Sequence, residues 1–336
     1  MDAADYHTTT TKTQKHLDRR FFLKSMGVGV ATIAMPRILF GADEKKSGAS
    51  LVERLGYPKD ARVLITAADE FGLCHAANLA VFEMLQVGLL KSADWMSISA
   101  WSREAADWAI ANPKLADVGV HLTLTVGGGS GVSWRPLLGR KEVPGLFTPE
   151  GRLWGNGQAA WQHATADEIK RESRAQIEHA LELGMDPTHL SAHDGIRSGD
   201  IPKFGKLYGE LGKEYGLPVR MPPTQEKLTE QGYPDLRPWL SKTGVLMAGA
   251  GTSLVGKTKY RQVFHDIPAG TIFEVYPHPC VDCPETRAIK GKGWQTAVDE
   301  YELFTKDRAV LEKVIKDEGL ILTGWRPIRE LQRAGG

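Results

Sequence analysis

From residue 62 onward, short runs of apolar and β-branched residues alternate with longer stretches whose apolar positions recur at helical spacing. The short runs predict strands at Arg62–Ala67, Ala93–Ser99, Asp117–Thr123, Thr188–Ser191, Pro218–Arg220, Val245–Ala248, Thr271–Val275 and Leu320–Leu322. The longer stretches predict helices at Ala77–Gln86, Arg103–Asn112, Asp167–Leu183, Pro202–Tyr215, Thr296–Glu318 and Ile328–Arg333. Gly88, Gly184 and Gly216 close three of these helices, and Pro113 stops a fourth. Between them, Thr125–Thr165 is Gly-rich and carries Trp134, Trp154 and Trp161, while Pro222–Asp266 reads as an insertion around one strand. Strands alternating with helices imply βα units and a parallel sheet. Seven or eight units in roughly 280 residues fit an α/β fold of the TIM-like (β/α) barrel kind, in a single domain. The first strand–helix turn lacks Gly-x-Gly-x-x-Gly, which lowers a dinucleotide-binding reading; an open doubly wound sheet is the alternative.

The first 42 residues break this rhythm. A polar stretch leads to Arg19-Arg20-Phe21-Phe22-Leu23-Lys24, an apolar run from Ser25 to Met35, and small residues at Gly41-Ala42. Basic, apolar and small-residue regions in that order describe an export signal, and the paired arginines point to the twin-arginine route; an ordinary secretory signal or a basic amphipathic helix is the alternative. Residues 43–58 then read as a polar linker and 59–336 as the barrel, acting in the periplasm or outside the cell. Composition narrows the rest. With 42% hydrophobic and 25% charged residues the bulk of the chain is globular. With 42 Lys+Arg against 41 Asp+Glu, it lacks the basic excess of a nucleic-acid binder. No run of apolar residues is long enough for a membrane span, so no stable insertion is expected once the signal is removed. The length and composition leave a homodimer open. Three cysteines exclude a disulfide scaffold, although Cys280 and Cys283 form a C-x-x-C and an exported chain could hold one disulfide and one free thiol.

Candidate chemistry sits at the carboxyl ends of the predicted strands, the face on which barrel enzymes assemble their sites. Asp69 and Glu70 follow the first strand, His121 ends the third, His193 follows the fourth, Arg220 ends the fifth and His278 follows Thr271–Val275. Two imidazoles and a carboxylate suit a divalent cation acting as Lewis acid, and a neighbouring carboxylate could take a proton from water. Singly, an acidic pair after a strand is more often a helix cap, and a lone His a satisfied polar residue. Arg220 either holds a substrate hydroxyl or carboxylate or pairs with an acid. Trp134, Trp154 and Trp161 either stack on a sugar face or bury their loop against the barrel.

The strings Ala68-Asp69-Glu70-Phe71-Gly72, Gly88-Leu89-Leu90-Lys91-Ser92-Ala93, Gly119-Val120-His121-Leu122-Thr123-Leu124, Thr188-His189-Leu190-Ser191-Ala192-His193 and Glu274-Val275-Tyr276-Pro277-His278-Pro279 occur in this order. Together they resemble the YdjC-like carbohydrate deacetylases, relatives of the chitooligosaccharide deacetylases, across about residues 60 to 330. Tyr301-Glu302-Leu303 fits that family's Arg-x-x-Glu-Leu position. The resemblance implies a distorted barrel, a divalent metal (Mg2+ or Zn2+) and hydrolysis of the acetamide of N-acetylated amino sugars or oligosaccharides. It implies Glu70, His121 and His193 as metal ligands, Asp69 as general base and His278 as the proton donor to the leaving amine. Arg220 and Trp134 are the candidates for substrate contact. Glu70 stands where the family has a second Asp, Ser191-Ala192 where it has Asp-Ser, and Asp194-Gly195 follows His193. Two other functions stay open: an exported, non-catalytic carbohydrate-binding protein with a decayed site, and a metal hydrolase acting on another amide or an ester.

Overall fold

A computed structural model describes residues 48–127, 132–193, 201–221, 229, 234–254 and 256–335. The expected export signal lies outside the described residues, as does Asp194-Gly195. Among the described residues eight parallel strands are formed: β1 (Arg62–Phe71), β2 (Ser92–Trp95), β3 (Val118–Leu122), β4 (Leu190–Ala192), β5 (Val219–Met221), β6 (Met247–Thr252), β7 (Thr271–Val275) and β8 (Leu320–Thr323). β1 to β7 pair in sequence order and β7 returns to β1, so seven strands close a ring. The length of β1 explains the eighth. Its first half, Arg62–Ile65, pairs with β8, while Ala67, Ala68 and Phe71 pair with β2. One ten-residue strand thus takes two partners along the same edge, and the barrel is distorted there.

Alternation along the strands sorts side chains to two faces. Leu64 and Ala68 of β1, Ala93 and Trp95 of β2, Val118, Val120 and Leu122 of β3, Leu190 of β4 and Val219 and Met221 of β5 join the large core. There they meet helix residues such as Val81, Met84, Ala105, Ile177 and Leu211. This is the outer, helix-covered face. The opposite parity points into the barrel. Val63, Ile65 and Ala67 of β1 meet Ala248 and Ile272, with Val52 from the first described helix, Ile328 from the last and Trp325 just before it, in a second apolar cluster that seals one end. Two residues further on the same parity comes Asp69, and two beyond Ile272 comes Glu274. The lumen is therefore apolar at its sealed end and polar towards the carboxyl ends of the strands.

Three expectations need correction. Part of the expected linker is folded: Leu51–Arg54 is a helix opened by a Ser50/Glu53 capping box, with Val52 in the sealing cluster. The expected helix 296–318 is two, Trp294–Phe304 and Arg308–Asp317. Thr305 Oγ1 donates to the Tyr301 carbonyl at 2.8 Å, and Lys257 bridges Glu302 and Asp307 across the break. No glycine or proline marks that corner, so periodicity runs through it. The three cysteines are free thiols, and it is Cys74 and Cys280, not the C-x-x-C pair, whose thiols hydrogen-bond to each other. The helix Ala166–Glu182 lies as expected, opened by a Thr165/Glu168 capping box.

Candidate active site

Asp69 and Glu70 belong to the last third of β1, where the β1–β2 register slips between Ala68 and Phe71. Glu70 takes φ 65°, left-handed backbone that few residues other than glycine adopt without cost. The bulge turns the two adjacent carboxylates in different directions. The Asp69 N–H donates to the Pro277 carbonyl at 2.9 Å, which ties this turn to the loop carrying His278. Asp69 Oδ1 accepts from Arg220 Nη1 at 2.8 Å, and Oδ2 faces His121 Nε2 at 3.9 Å and His278 Nε2 at 3.8 Å. The rings of His121 and His193 lie edge to face with centroids 5.5 Å apart. Asp69, Glu70, His121 and His193 are buried and His278 is partly open. Residues 69, 121, 193 and 278 thus meet at one end of the barrel.

Arg220 takes the acid-pairing alternative. It is 5% exposed, and its guanidinium donates to Asp69, to Asp94 Oδ2 (2.6 Å) and to both oxygens of Glu274 (2.7 and 3.1 Å). Trp134 is buried with its ring edge-on to His193, centroids 5.7 Å apart, so it packs the loop against the site. Trp154 stacks on His163 at 3.9 Å, and Trp161 lies against Phe204. Glu70 has a partner the sequence did not reveal: Lys290 Nζ, on the helix Pro284–Lys290, pairs with its carboxylate.

Asp94, His189, Glu274 and Lys290 were absent from the sequence-derived candidates. Asp94 and Glu274 are single charges inside otherwise apolar strands, and that is the signal that could have found them, because a buried charge requires partners. Gly119 is part of the same arrangement. A Cβ there would sit 2.4 Å from the His189 ring, so a glycine beside Asp94 lets that imidazole lie against the strand and reach Asp94 Oδ1 at 2.8 Å.

Burial pushes the Asp69 carboxyl well above its ordinary pKa, with Arg220 opposing. Burial holds His121 well below its ordinary value and brings His278 down to about 4, against the pull of Glu70. Both imidazoles are therefore neutral near pH 7, with lone pairs to offer. For Glu70, burial acts upward, but Lys290, His278 and His193 outweigh it and lower the carboxyl. Asp69, Asp94 and His121 bring donor atoms within 4.8 Å of one another, as do Asp94, His189 and Glu274. Arg220 already sits among the carboxylates of both groups, and neither group includes Glu70 or His193. In the first, Asp69 Oδ2 and His121 Nε2 face each other beyond hydrogen-bond length, with His193 alongside. The open Asp69 Oδ2 beside the neutral His121 imidazole is a donor pair that fits a divalent cation.

Known proteins resemble this chain over most of its length. The carbohydrate deacetylase of Thermus thermophilus is 30% identical over 299 residues, covering 83% of this chain and 98% of the relative. The carbohydrate deacetylase of Geobacillus stearothermophilus is 28% identical over 276 residues, covering 80% and 99%. The chitooligosaccharide deacetylase of Klebsiella pneumoniae is 29% identical over 279 residues, again covering 80% and 99%. Among solved structures, a proposed cellobiose-phosphate cleavage protein from Enterococcus faecalis superposes with a TM-score of 0.66 at 22% identity, over 80% of this chain and 99% of that one, and shares the fold. The profile of the YdjC-like proteins matches residues 63–313, from the first strand through the last long helices, and the chain belongs to that family.

Proposed function

We propose that this protein is a metal-dependent hydrolase that removes acetyl groups from N-acetylated amino sugars or their oligosaccharides. The observation that carries this reading is the position of Asp69 Oδ2, facing His121 Nε2 at 3.9 Å and His278 Nε2 at 3.8 Å while Arg220 pins the other oxygen. Membership of a family whose relatives are named carbohydrate and chitooligosaccharide deacetylases supports it. Glu70, His121 and His193 would hold a divalent cation, and two imidazoles with one carboxylate suit Zn2+ better than Mg2+, which prefers oxygen. Such an ion supplies Lewis-acid polarisation of the acetamide carbonyl and a more acidic water. Asp69 would accept the proton of the attacking water through Oδ2, the oxygen that Arg220 leaves free. His278 would then deliver a proton to the departing amine, and Trp134 would hold the His193 ring in place. The paired arginines at Arg19-Arg20 support action of the mature chain outside the cytoplasm.

The test is acetate release from N-acetylated chitooligosaccharides with added Zn2+ or Mg2+, beside a panel of simple esters. Asp69→Asn is expected to lower turnover by about 100- to 10,000-fold while the fold is retained. Normal turnover in that variant overturns the base assignment. Sugar binding without acetate release from the native chain would leave a carbohydrate-binding protein.

A further inference from the structure

His121 is held from behind by a short relay of side chains. Its Nδ1 lies 2.7 Å from Ser191 Oγ, its register partner across β3 and β4. Ser191 Oγ in turn donates to Asp94 Oδ1 on β2. Asp94 is fully engaged as an acceptor: Oδ2 takes Arg220 Nη2 at 2.6 Å, and His189 Nε2 lies 2.8 Å from Oδ1. All of these groups are buried.

Proton counting gives the relay a direction. A carboxylate accepts and does not donate, and a serine hydroxyl carries one proton. Ser191 therefore commits its proton to Asp94, leaving only lone pairs towards His121. The hydrogen between Ser191 and His121 must then reside on Nδ1, and Nε2, the nitrogen facing Asp69, is left with its lone pair. Without the acceptor at position 94, the Ser191 hydroxyl could turn and donate to Nδ1, placing the ring proton on Nε2.

We propose that Asp94, acting through the Ser191 hydroxyl, is the positioning residue that fixes His121 as the Nδ1–H tautomer and so keeps Nε2 free to bind a divalent cation. Asp94 and Ser191 stand on the two strands that flank β3, and the hydroxyl carries the influence of the carboxylate to His121. Carboxylates and carbonyls behind metal-binding histidines act in this way, and their removal typically weakens metal binding 10- to 100-fold. The proposal rests on the cation site described above, but the tautomer can be read without any cation.

The experiment uses the full chain with 15N-labelled histidine, treated with chelator, and reads the His121 ring nitrogens by NMR, assigned with a His121→Gln control. The native chain is expected to show Nδ1–H. In Asp94→Asn the amide would donate to Ser191, so the hydroxyl turns and the tautomer becomes Nε2–H, with Zn2+ affinity lowered about 10- to 100-fold. Adding Ser191→Asp to Asp94→Asn places a carboxylate directly behind Nδ1 and is expected to restore both the tautomer and the affinity. An unchanged tautomer in Asp94→Asn, or a double variant that recovers neither property, overturns the proposal. Should Asp94→Asn not fold, Ser191→Ala decides. A mixture of tautomers there supports the relay, and pure Nδ1–H overturns it. Failure of the native chain to bind Zn2+ would overturn the cation-site reading while leaving the tautomer result to stand by itself.

Discussion

Glu70 concentrates the competing demands on single residues at this site. Its backbone is left-handed, its carboxylate is a proposed cation ligand, and it pairs with Lys290. The two side chains are only 12% and 13% exposed, so neither charge has much water to fall back on. Removing one charge from such a pair leaves the other buried and uncompensated, which typically costs about 3 kcal/mol. Glu70→Gln in chelator is therefore expected to destabilise the chain by about that amount. Replacing both partners, with Lys290→Met added, should recover most of the loss, because the double variant buries no unpaired charge. Denaturant unfolding of the two single variants and the double variant checks this. A double variant no more stable than Glu70→Gln would mean that the pair does not carry the effect. The sign with pH follows from the lowered carboxyl of Glu70. A depressed acid contributes stability above its unfolded value, near 4.5, and loses it as the pH falls further towards its folded value.

At the scale of elements, the helix Trp294–Phe304 holds the loop that carries His278. Glu300, 1% exposed, accepts the His278 N–H at 2.6 Å through Oε2 and the Gly256 N–H at 3.3 Å through Oε1. Burial nonetheless pushes its carboxyl up to about 8, against the two N–H donors. The folded chain thus holds a proton that the unfolded chain has released by pH 6. The stability contributed is complete below the unfolded value and falls by about 1.4 kcal/mol per pH unit from there towards pH 8. Glu300→Gln removes this titration, so the penalty of the variant should be largest at pH 6 and smallest at pH 8 in metal-free melts. A penalty independent of pH would contradict the assignment. Glu300 also shows what was legible in the sequence and what was not. Strands were legible because buried parallel strands are continuous apolar runs, and β7 has the expected bounds. The histidines at 121, 193 and 278 were legible because strand ends share one rim. The break at Thr305 was not, since a hydroxyl and a lysine bridge make it, not a glycine or proline. Nor were Glu300, Asp94 and Lys290, whose importance lies in partners between 22 and 220 residues away in sequence.

For the whole molecule, the barrel has to keep a charged lumen dry at one end and open at the other, and the first and last described helices, with Trp325, do the sealing. Val52 from the first described helix and Trp325 and Ile328 near the C-terminus pack into the apolar cluster below Asp69 and Glu274. Trp325 is the joint between the apolar and polar halves. Its ring stacks on His189 with centroids 4.5 Å apart and planes 8° from parallel, and its Nε1 donates to Glu274 Oε1 at 2.9 Å. Two kinds of loss can therefore be separated at one position. Trp325→Phe keeps a ring to stack and most of the volume, but removes the donor from a fully buried carboxyl. Losing a hydrogen bond to a charged group costs about 1.5–3 kcal/mol. Trp325→Ala removes the packing as well, where about 3–5 kcal/mol is typical for a large buried aromatic. The ordering native, Phe, Ala should appear in equilibrium unfolding. The Phe variant should also shift the charge balance around Arg220, because Glu274, already raised by burial, loses one of the groups that stabilise its ionised form. Its pKa should rise further, so the penalty of the Phe variant relative to the native chain should be smaller at acid pH and larger at neutral pH. Identical pH profiles for the two would show that Trp325 acts through packing alone.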